Sequence, residues 1–163
     1  MSLDVTRRRH LPVLGVAAAA ALLAGCGTGL DAQTQQWYNP TDGTSTDPQT
    51  SLDAMAVRDL VVVSDGTDAR VLATVVNTTD SEDEVVEVLV AGESADLDGD
   101  FLAAPGSVLR IGEPADTAAQ VDGVGVEPGL LTDVEIRFAS APAVTLEAMV
   151  RAPARYYSDS APS

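Results

Sequence analysis

The sequence predicts an all-β fold, an antiparallel sandwich of about seven strands, on three observations. Short β-branched runs recur from residue 53 onward. Clusters of Gly, Asp, Asn, Ser and Pro separate them, and the last two runs alternate apolar and polar residues instead of following a helical period.

Ahead of the strands lies a leader. Arg7, Arg8 and Arg9 precede an apolar run of 13 residues from Leu11 to Leu23, then Ala24, Gly25 and Cys26. A run of that length is too short to span a bilayer, which takes roughly 20 residues, and suits a signal h-region. Basic, apolar, small, then Cys is the order of a bacterial lipoprotein signal with its lipobox. Only a thiol can become the thioether that carries a diacylglyceryl group, so Cys26 is the predicted lipidation site. Thr6-Arg7-Arg8-Arg9-His10-Leu11 also resembles a twin-arginine export motif. An ordinary basic n-region explains the same residues, and the export route stays open between the two.

Removing residues 1–25 from the 163 leaves 138, enough for one domain with its own core. Cys26 is the single cysteine, so acylation leaves no thiol for a disulfide, a nucleophile or a metal. The mature chain keeps six arginines and no lysine against 24 acidic residues, a formal charge of −18. Such a surface repels nucleic acid and anionic headgroups, so the lipid on Cys26 has to hold the protein at the membrane. The predicted location is the extracytoplasmic face of the cell membrane. The lysine-free, Ala-, Val- and Asp-rich composition matches a high-G+C bacterium.

Residues 26–52 read as the lipidated cysteine and a polar, flexible tether. As a coil, the stretch from Gly27 to Leu52 reaches roughly 28 Å. Trp37 and Tyr38 interrupt it and could pack on the domain, touch the membrane interface or contact a partner.

The sandwich occupies residues 53–151. Met55, Val57 and Leu60 to Val63 form the first strand region, ended by Ser64-Asp65-Gly66-Thr67. Val71 to Val76 forms the second and Val85 to Val90 the third. Ser107 to Ile111 is the fourth, stopped by Gly112 and Pro114, and Thr117 to Val126 is a weak fifth. In the sixth, Leu130 to Phe138, one face carries Val134, Ile136 and Phe138 and the other Asp133, Glu135 and Arg137. The seventh, Val144 to Val150, sets Val144, Leu146, Ala148 and Val150 against Thr145, Glu147 and Met149. Residues 152–163, rich in Pro, Ser and Ala, read as a disordered tail. No internal repeat is apparent.

On Ala32-Gln33-Thr34, Val57-Arg58-Asp59, Leu72 to Asn77, Val85 to Val90 and the Leu131-to-Val150 strand pair, the mature chain resembles the LpqE family of actinobacterial lipoproteins. That family is in turn similar to PCu(A)C-type copper chaperones, which implies a cupredoxin-like, immunoglobulin-like sandwich. It also implies a copper site of His and Met ligands, including a His-x-Met pair before the last strands. This chain departs there. Its only His is His10, in the leader, and residues 116–126 hold neither His nor Met. Met55 and Met149 read as sheet positions, so no metal or cofactor ligand is carried over.

Other motifs have plain readings. Asp96-Leu97-Asp98-Gly99-Asp100 starts like a calcium loop, but Phe101 and Ser107 occupy the places where such a loop needs Gly and Glu. A solvated acidic turn is the simpler reading. Ser81-Glu82-Asp83-Glu84 reads as a charged hairpin turn that blunts a sheet edge, and Asn77-Thr78-Thr79 as a turn in place of a glycan acceptor. Without histidine after Cys26 a Ser–His–Asp triad is impossible. Acids are plentiful enough for carboxylate-pair chemistry, but a glycosidase usually needs an aromatic-lined cleft, and the domain has few aromatics, Phe101, Phe138, Tyr156 and Tyr157, besides Trp37 and Tyr38. No glycine-rich phosphate loop is present. The sequence therefore predicts a non-catalytic, lipid-anchored module that binds another envelope protein or acts structurally, with metal handling as the alternative.

Overall fold

The computed structural model describes residues 42–46, 55–112 and 115–162. The leader, Cys26, and Trp37 and Tyr38 lie outside the described residues. Ten strands follow in order: β1 (Met55–Ser64), β2 (Ala69–Asn77), β3 (Asp83–Val90), β4 (Glu93–Ser94), β5 (Asp96–Asp98), β6 (Leu102–Ala103), β7 (Val108–Ile111), β8 (Ala118–Val121), β9 (Leu131–Phe138) and β10 (Val144–Arg151). A 3-10 helix spans Arg155–Ser160.

The strands order as β4-β3-β9-β10-β1-β2-β8-β5, with β6 on β3 and β7 on β2. Because β6 and β7 flank a single turn, this path nearly closes on itself, and the fold is the predicted all-β sandwich. Seven of the strands coincide with the seven predicted runs. The additional ones, β4, β5 and β6, have two or three residues each, too few to show a period. Asp96-Leu97-Asp98 is thus a strand paired with β8, not a turn.

The antiparallel expectation holds for every ladder except one. β1 runs parallel to β10, with Val61 beside Met149, Val62 beside Val150 and Val63 beside Arg151. A period of two says which face a residue takes, not which way its neighbour runs. β1 is also buried on both faces, from Met55 to Val57 and from Leu60 to Ser64. A strand between two neighbours and two layers needs no polar side, so it appears in sequence as a continuous apolar run. β2 shows the opposite pattern, with Ala69, Val71, Ala73, Val75 and Asn77 all buried and their neighbours half exposed.

The core is built chiefly from valines. Val57, Val62, Val75, Val88, Val134 and Val150 have no accessible surface and pack with Ile136, Phe101 and Phe138. The first turn is fixed by Asp65, whose Oδ1 accepts the N–H groups of Thr67 at 2.8 Å and Asp68 at 3.0 Å. These donors, Asp68 first, hold the Asp65 carboxyl below its ordinary range.

Candidate functional site

β1 is interrupted at Arg58 and Asp59. The register with β2 shifts between Arg58 and Val61, and Asp59 takes a left-handed φ of 53°. A bulge turns backbone donors and acceptors away from the ladder, and these need other partners. The polar segment 42–46 supplies them. Thr44 N donates to the Leu60 carbonyl at 2.9 Å, and Leu60 N donates to the Thr44 carbonyl at 2.8 Å. Thr46 N donates to the Val57 carbonyl at 2.8 Å, and Asp59 N donates to Ser45 Oγ at 3.0 Å. Part of the region that the sequence assigns to a tether is therefore bonded to the sandwich. The approach is close: a Cβ on Gly43 would lie 2.4 Å from the Asp59 carbonyl carbon, so this position requires glycine.

The C-terminal segment meets the same place. Residues 152–163, expected to be disordered, include the 3-10 helix, entered through Arg155 at φ 55°. Tyr157 OH donates to Asp42 Oδ2 at 3.4 Å, and Arg151 Nη2 lies 3.4 Å from Asp42 Oδ1. Burial, then the negative charge of Asp42, pushes the Tyr157 phenol up from its ordinary pKa. Tyr156 stacks edge-to-face on Tyr157, with ring centroids 5.3 Å apart, yet its own side chain is 91% exposed.

Between these two segments is a cleft of about 490 Å³. Val61, Leu72 and Ile111 contribute its apolar lining, Asp42, Asp59 and Arg110 its charges, and Tyr156 and Tyr157 its aromatic rim. Its size is that of a small-ligand or side-chain pocket. Sequence reasoning missed it, because its rim comes from stretches read as tether and tail.

The residues considered from sequence lie elsewhere. Met55 begins β1 and is buried, whereas Met149 on β10 pairs with Val61, six residues further along the same strand. The register sets the two residues roughly 20 Å apart along the strand direction, beyond what one metal ion can bridge. Asp96 and Asp98 line the exposed side of β5, while Asp100 Oδ1 accepts the Leu102 N–H at 3.0 Å. No group of three or more His, Cys, Asp or Glu able to hold a metal occurs among the described residues. Asn77, first residue of the apparent glycan acceptor, is fully buried, and its Nδ2 donates to the carbonyls of Ser81 at 2.7 Å and Ala103 at 2.9 Å. Its amide nitrogen is spent inside the fold.

Solved structures share this architecture, three of them PCuAC domains. The copper-bound PCuAC domain from PmoF2 aligns with TM-score 0.56 and 19% identity, over 68% of this chain and 99% of that one. The apo PCuAC domain from PmoF1 gives 0.57 and 22%, over 68% and 100%. The apo PmoF2 PCuAC domain gives 0.53 and 19%, over 64% and 94%. At these identities the likeness is one of fold. No family model matches the sequence, and no curated protein matches it.

Proposed function

We propose that this chain is an envelope lipoprotein, anchored through lipid on Cys26 at the extracytoplasmic membrane face, whose sandwich binds another envelope protein. The cleft between segment 42–46 and the 3-10 helix carries this reading. It offers a concave, partly apolar site with an aromatic ring, Tyr156, held almost entirely in solvent, and exposed aromatics of this kind anchor protein interfaces. The formal charge of −18 on the mature chain supports a protein partner over nucleic acid. A binding role fits better than a catalytic one, because no histidine or thiol is left to act as base or nucleophile once Cys26 is acylated.

The test is in-cell photocrosslinking from the full chain, with the crosslinking residue at position 156 or, as control, at Thr145 on β10. The reading expects an adduct of defined mass from position 156 alone. Adducts from neither position, or equally from both, would overturn it.

A second reading, metal handling, is favoured by the shared fold with a domain described as copper-bound. The separation of Met55 and Met149 opposes it. Native mass spectrometry with Cu(I), Cu(II) and Ca²⁺ decides between them: partner binding expects bare protein, and a stoichiometric adduct at low micromolar metal would establish the alternative.

A further inference from the structure

We infer that the cleft accepts one cationic side chain, a lysine or arginine presented by an extended segment of the partner protein; this rests on the partner-binding reading above. The rim sets two carboxylates, Asp42 and Asp59, beside the rings of Tyr156 and Tyr157. Carboxylates pair with a cation, and an aromatic face attracts it through the ring quadrupole. Tyr156 meets Tyr157 at an interplanar angle of 89°, and its exposure keeps ring surface open to a ligand.

The charges within the cleft are not equivalent. Arg151 is drawn to Asp42 at 3.4 Å, and Tyr157 bonds the other oxygen of the same carboxylate. Asp42 is thus engaged in joining segment 42–46 to the C-terminal segment, and Asp59 is the other carboxylate residue that lines the cleft. Arg110 lines the cleft from β7, beside Thr74 on β2. Its charge offsets one of the two lining carboxylates, Asp42 and Asp59, so the lining carries one net negative charge and suits one cation, while Val61, Leu72 and Ile111 suit the methylene stem of the incoming side chain. The net acidity of the chain draws basic segments toward the site.

Backbone strain converges here too. Asp59, Ala91 and Arg155 are the non-glycine residues with positive φ among the described residues, and two of them frame the cleft. Asp59 lines it, and Arg155 launches the helix that carries both tyrosines. Held conformations of this kind gather at ligand clamps.

The test uses the full chain in detergent, ¹⁵N-labelled and titrated with a capped alanine–lysine pentapeptide or its alanine–glutamate counterpart. The lysine peptide is expected to shift the amide signals of Gly43, Asp59, Tyr156 and Tyr157 saturably, and the glutamate peptide to leave them unmoved. Asp59→Asn keeps a residue that tolerates the left-handed backbone while removing the charge. It and Tyr156→Ala should each weaken binding by about two- to fivefold. Absence of these shifts, or shifts scattered over the acidic surface and indifferent to both variants, would overturn the inference. An in-cell crosslink from position 156 without a lysine-peptide response removes the cationic ligand alone. Peptide binding without the crosslink removes the partner reading alone.

Discussion

The Asp83 carboxylate accepts the backbone N–H of Ala141 at 2.7 Å, joining the first residue of β3 to the β9–β10 turn 58 positions away. Its other oxygen takes the N–H groups of Ser140 at 3.0 Å and Glu84 at 2.9 Å. A turn of small residues has no side chain to fix it, so this buried acid does so.

A pH prediction follows from that contact. Burial disfavours the Asp83 anion, but the donors from Ala141, Glu84 and Ser140 outweigh it and hold the carboxyl below its ordinary range. A depressed folded-state pKa means stability that is present above the unfolded value, about 3.9, and lost as pH falls through the folded one. Asp83→Asn should therefore flatten the acid limb of a stability–pH curve below about pH 4. Urea melts at pH 3 and pH 7 check this, and equal losses at both would sink it. Asp83→Ala, which leaves three backbone donors without an acceptor, should cost about 2–3 kcal/mol at pH 7.

Asn77 plays a similar part at the seam between β2 and β6. Its amide donates to Ser81 and Ala103, and its Oδ1 accepts Thr79 N at 2.9 Å and Thr79 Oγ1 at 2.7 Å. Asn77→Asp places a negative charge against two carbonyl acceptors in a buried site. It should destabilise the fold by about 3 kcal/mol or more, and Asn77→Ala by about 2 kcal/mol. Chemical denaturation measures both, and a harmless Asn77→Asp would show that the seam is wetter than its burial implies.

How much of this was legible differs from residue to residue. Val134, Ile136 and Phe138 declare their face by alternation, and β9 buries those three. β1 announces a strand but not its parallel neighbour, because direction leaves no mark on a single run. The cleft had no local signature at all. Thr44 gains its meaning from Leu60, and Tyr157 from Asp42, 115 positions away. A polar stretch with no period reads as tether whether or not a distant bulge needs its hydrogen bonds. That His10 is the single histidine is plain from composition, whereas the separation of Met55 and Met149 needed the register.

Two glycines with similar positive φ should respond differently to a methyl group. Gly66 and Gly99 have φ of 98° and 107°, so alanine is strained at either, by about 1–2 kcal/mol. At Gly66 the new Cβ meets nothing within 4 Å. At Gly99 it would lie 2.4 Å from the Asp116 carbonyl oxygen and 3.0 Å from Thr117 Cα, so the segment between β5 and β8 has to move. Gly99→Ala should cost at least about 1 kcal/mol more than Gly66→Ala. Thermal unfolding of the two variants side by side tests it, and equal midpoints would place Asp116 further off.

The proposed lipid anchor is open to a direct test at Cys26. Each buried methylene contributes about 0.8 kcal/mol, so two or three acyl chains hold a protein at a membrane essentially for good. The mature surface, at −18, gives no electrostatic help against anionic headgroups. Membrane association should therefore depend on the one thiol. Cys26→Ala is expected to abolish incorporation of a clickable fatty acid and to leave either a soluble product or an uncleaved precursor. Detergent phase partitioning separates these outcomes, since an acylated chain enters the detergent phase and a released one stays in water. A variant that still partitions into detergent at its mature mass would place the anchor elsewhere in the chain.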